Sequence, residues 1–74
     1  MKGTFMQFFR LNLKIYNLKD IKKAVEDYRN LVEIRYNLEE NNTVILKLNC
    51  NEEDFEIIKN EFCNYVIGLV GKHI

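Results

Sequence analysis

The chain has 74 residues, a formal net charge of zero, two cysteines, one histidine, and no proline, tryptophan or serine. That length allows one domain, residues 1–74, and a domain of this size hides only ~60% of the surface its unfolded chain exposes. It excludes a serine nucleophile for want of serine, and a zinc set for want of ligands at metal spacing.

Phe9, Leu11, Leu13 and Ile15 alternate with Arg10, Asn12 and Lys14, a period of two that predicts a half-buried strand running to Tyr16. Upstream, Phe5, Met6, Phe8 and Phe9 are apolar on both parities, so both faces of the strand's start need cover. Asn17 is placed to cap a helix, with Asp20 in its first turn. Leu18, Ile21, Val25, Tyr28 and Leu31 form one helical stripe. A second strand follows, with Val32, Ile34, Tyr36 and Leu38 on one side and Glu33, Arg35 and Asn37 on the other. Glu39–Asn42 is a polar turn in which asparagine tolerates positive φ. In the third strand Val44, Leu46, Leu48 and Cys50 share one face, and Ile45, Lys47 and Asn49 the other.

Asn51 caps a second helix whose first turn holds Glu52, Glu53 and Asp54. Phe55, Ile58, Phe62, Tyr65 or Val66, and Leu69 carry its stripe into the tail. Residues 65–74 thus read as a continuation of the helix, ending near Gly71, with a fourth strand as the alternative. Gly68 and Gly71 interrupt the tail, which is too short to span a bilayer.

The expected fold is a β-α-β-β-α two-layer α+β sandwich with sheet order 2-3-1 and both helices on one face. It is a ferredoxin-like plan lacking its last strand, with a right-handed crossover between strands one and two. The outer edge of strand one is then unpaired, an arrangement that invites a second copy or an extended peptide. The expected interaction residues of that edge and the open face are Met6, Phe8, Arg10, Asn12, Lys14, Arg35 and Lys47. Met6 and Phe8 are expected at the rim of the open face, and Asn12, Arg35 and Lys47 at its centre. The bases outnumber Glu33 four to one, but the centre offers no aromatic to stack on a base, which argues against RNA. An RNA- or nucleotide-binding face using Arg10, Lys14, Arg35 and Lys47 is the alternative.

Residues 1–37 carry eight Lys or Arg against four Asp or Glu, whereas residues 38–74 carry three against seven. Such a dipolar chain can pair with itself. No signal peptide or membrane span is read at the start, so a cytoplasmic protein is expected. Cys50 and Cys63 read as packing thiols, and no catalytic group, cofactor or metal is expected.

The segment IYNLKDIKKAVEDY (Ile15–Tyr28) resembles the small D proteins of the His-Xaa-Ser peptide maturation system, through Tyr16, Leu18, Ile21, Lys22, Lys23, Ala24 and Tyr28. EFCNYVIGLVGKH (Glu61–His73) is similar to that family's closing helix, with Phe62 and Asn64 two apart. The chain departs from the pattern at Tyr65, where an acid is expected, and at Lys72-His73, where an arginine is expected. The resemblance implies a non-enzymatic accessory of radical enzymes that modify a ribosomally made peptide. Its implied partners are a precursor peptide or a larger enzyme; a homodimer is expected separately, from the open edge and the charge asymmetry.

Overall fold

The computed structural model describes residues 5–71. The elements run β1 (Phe5–Asn12), α1 (Leu18–Tyr28), β2 (Glu33–Glu39), β3 (Thr43–Cys50) and α2 (Glu52–Gly71). The sheet is antiparallel in the order β1-β3-β2, with Phe5 opposite Cys50 and Glu33 opposite Asn49. This is a small α+β fold of one three-stranded sheet and two helices.

Alternation decides which side of the sheet the helices cover. Leu11 of β1, Ile34 of β2, and Val44, Leu46, Leu48 and Cys50 of β3 are buried together with Ile21, Ala24 and Val25 of α1 and Phe62 and Val66 of α2. Phe62 is the hub, with edge-to-face ring contacts to Phe9 at 6.2 Å and Tyr28 at 5.4 Å. Such offset geometries suit the aromatic quadrupole. Ala24 joins the core although it is too small to mark an apolar stripe.

Local chemistry sets the boundaries. β1 ends at Asn12, four residues before the alternation stops, because the Asn12 Oδ1 accepts from Lys14 N at 2.8 Å and its carbonyl accepts from Ile15 and Tyr16. Lys14 therefore lies on a turn and not on the open face, and Ile15 is 71% exposed. The Asn17 and Asn51 side chains cap α1 and α2, accepting from Lys19 N and Asp54 N. Asn41 and Asn42 take φ of 63° and 57° in the β2–β3 turn. Leu31 and Leu38 have the core parity but are exposed, since one follows the end of α1 and the other lies near the end of an edge strand. The tail is helical: α2 continues through Gly71 as its last residue, and Lys72 and His73 lie outside the described residues.

Candidate functional site

The face of the sheet away from the helices is built in rows. Met6, Asn49 and Glu33 form the first, Phe8, Lys47 and Arg35 the second, Arg10, Ile45 and Asn37 the third, and Asn12, Thr43 and Glu39 the last. Phe8 thus stands in an inner row beside Lys47 and in line with Arg35, while Asn12 stands at the end. This corrects the expected placing of Asn12 at the centre; Phe8 stays on the outer strand, one row in from the row of Met6. The strand-to-strand register, which alternation does not specify, makes the difference.

The charges of this face are largely matched. The Arg10 Nε donates to Glu39 Oε1 at 2.8 Å, reaching across β3 over Ile45, which is only 9% exposed. The same guanidinium lies 5.3 Å from the centroid of Phe8. Arg35 Nη2 sits 3.3 Å from Glu33 Oε2, and Asn49 Nδ2 donates to Glu33 Oε1. Glu39 is the residue that sequence reasoning missed; it was assigned to the turn, although its parity matches Glu33, Arg35 and Asn37. With Lys14 removed and Glu39 added, three bases face two acids. The expected four-to-one excess does not hold.

β1 and β2 are the sheet edges. β2 displays Glu33, Arg35 and Glu39, charges that discourage another strand. β1 displays Met6, 47% exposed, and Phe8, 56% exposed. The direction of the β1 backbone follows from one bond. Leu13 N donates to Asn42 O at 2.7 Å, continuing the β1–β3 register by one residue. In an antiparallel pair a residue's N–H and C=O point to the same side, and the side alternates. The odd-numbered residues of β1 therefore face β3, and Met6, Phe8, Arg10 and Asn12 turn theirs outward. The same residues send their side chains to the open face. Exposed apolar surface and unpaired ladder groups thus coincide at Met6 and Phe8.

Neither thiol is activated. Burial pushes the Cys50 thiol above its ordinary value, with the nearby Asp54 carboxylate adding to the effect. Burial also raises Cys63, against smaller lowering by its hydrogen bond to Tyr16 and by Lys59. A raised thiol is a poor nucleophile near neutral pH. Among the described residues, no three His, Cys, Asp or Glu side chains gather to hold a metal ion, and no helix is long and apolar enough to cross a membrane.

Fold and edge together define a class, a small α+β domain whose β1 edge, among the described residues, displays the apolar Met6 and Phe8 beside Arg10. No family model, curated protein or solved structure matches the chain.

Proposed function

We propose that this chain is a non-enzymatic interaction module that adds an extended segment as a further strand along β1. The observation that carries this reading is the coincidence at Met6, Phe8 and Arg10 of outward-turned ladder groups with exposed side chains. In strand addition the backbone gives affinity and alternate side chains give specificity, and this edge offers both. The sheet order β1-β3-β2 supports the same reading, since among the described residues it leaves the far side of β1 open. The resemblance to the small D proteins supplies the setting, an accessory in a radical-enzyme peptide maturation system, cytoplasmic, holding a precursor peptide or a larger enzyme.

The test is amide hydrogen exchange on the full chain, alone at high concentration and with binders selected from a library of alternating-pattern peptides. The Met6, Phe8 and Arg10 amides should gain protection in at least one of these conditions. Protection that always falls elsewhere sinks the proposal.

A second reading, an RNA- or nucleotide-binding face, draws on the row that joins Phe8, Lys47 and Arg35, an aromatic beside two cations. The pairing of Arg10 with Glu39 and of Arg35 with Glu33 weighs against it. A single-stranded oligonucleotide whose affinity falls steeply with salt would favour this second reading.

A further inference from the structure

The outward-turned ladder of β1 has a definite end on its C-terminal side. Among the described residues, Met6, Phe8 and Arg10 offer both an N–H and a C=O, whereas the carbonyl of Asn12 already accepts from Ile15 at 3.0 Å and Tyr16 at 2.9 Å. Three alternating residues centred on Phe8 match their own reverse. With Phe8 opposite Phe8 of a second copy, Met6 of each copy lies opposite Arg10 of the other.

The charges agree with that arrangement. β1 starts beside Cys50, and the acidic first turn of α2, Glu52, Glu53 and Asp54, begins two residues later. The ring of Phe55 touches that of Phe9, so the start of α2 stays close to β1. At the other end of β1, beyond the Arg10–Glu39 pair, the exposed Lys14 stands on the turn. Antiparallel pairing sets the acidic end of each copy against the basic end of the other. Two other registers fail on named groups. A centre at Arg10 places like charges directly opposite, which destabilises a cross-strand pair. A centre at Phe9 needs the occupied Asn12 carbonyl opposite Met6.

From this we infer that the occupant of the β1 edge is a second copy of this chain, paired antiparallel about Phe8 into a continuous six-stranded sheet. The inference rests on the strand-addition reading and names its partner. The two inner faces of Phe8 cover one another, and each Arg10 keeps its bond to Glu39.

The experiment combines mass with cross-linking on the full chain, Cys50 and Cys63 left in place. Light scattering should give twice the chain mass at high concentration, and Phe8→Glu should weaken association about tenfold or more, as charge in the centre of an interface does. Directly opposed residues of this type lie about 5.5 Å apart at Cα, within disulfide range. A mixture of Met6→Cys and Arg10→Cys chains should therefore cross-link under mild oxidation, the link being located by peptide mass. Arg10→Cys alone should not, since its own copy lies four strand steps away, about 13 Å. A monomer at every concentration overturns the inference. If that monomer still protects Met6, Phe8 and Arg10 with a peptide bound, strand addition survives and only the partner is wrong; if nothing protects them, both fall. A dimer in which Arg10→Cys links to itself overturns the register.

Discussion

Asn12, Asn17 and Asn51 each place a carboxamide oxygen on a backbone N–H where an element stops or starts. Replacing Asn17 or Asn51 with Ala should cost about 1 kcal/mol each, read as a lower urea midpoint at unchanged slope. Gly68 offers the opposite change. It is helical, and a methyl added there meets nothing within 4 Å. Gly68→Ala should stabilise the chain by about 1 kcal/mol in the same measurement. The thiols and tyrosines give a sign for pH. Cys50 and Cys63 are raised above 9.0 by burial, Tyr16 and Tyr28 above 10.0 by burial, and Tyr65 above 10.0 chiefly by its hydrogen bond to Asp27. The unfolded chain thus releases these protons first. Their contribution to stability is fully present below the ordinary thiol value and is lost as pH rises through the folded values. A urea midpoint that holds between pH 7 and 8 and falls above about pH 9 is expected. Over that lower range both thiols should alkylate far more slowly in the folded chain than in urea.

Element by element, what the sequence could reveal depended on whether the cause was local. Both asparagine caps, the positive-φ turn and the helical tail were legible because each follows from neighbouring residues. The end of β1 was not, since Leu13 and Ile15 extend the alternation through a turn made by the Asn12 side chain. Leu31 and Leu38 carry the right parity but lack cover, and cover is a property of helix placement. The inner position of Phe8 required the register with β3. The direction of the β1 backbone yields a contrast between adjacent sites. Phe8→Pro removes an outward N–H and should leave a folded monomer, because edge strands tolerate proline on the solvent side. Gln7→Pro removes a bond to β3 and should cost about 1–3 kcal/mol, leaving a carbonyl unpaired. A lower melting temperature for Phe8→Pro than for Gln7→Pro would show that the alternation has been assigned the wrong way round.

At the scale of the molecule, two structural layers enclose one small core, so its margin is thin. By the usual ~0.05–0.15 kcal/mol per residue, a chain of 74 residues holds roughly 4–11 kcal/mol. Phe62 is fully buried against Phe9 and Tyr28, and Phe62→Ala should remove about 3–5 kcal/mol, a large share of that margin, read as a much lower urea midpoint. Strand pairing between copies would add to that margin by mass action, so the melting temperature should rise with concentration in the wild type and stay flat in Phe8→Glu.

The strand order also has a consequence for the order of events during synthesis. β1 emerges from the ribosome before β3, with which it forms its ladder, so Asn12 waits for Thr43 and Phe5 for Cys50. Until then the segment holding Met6, Phe8 and Phe9 is an apolar strand without a neighbour on either side, while β2 and β3 close quickly across a short turn. The nascent chain is thus most vulnerable to misassociation between the synthesis of β1 and that of β3, and a chaperone acting on it would find its binding site at β1.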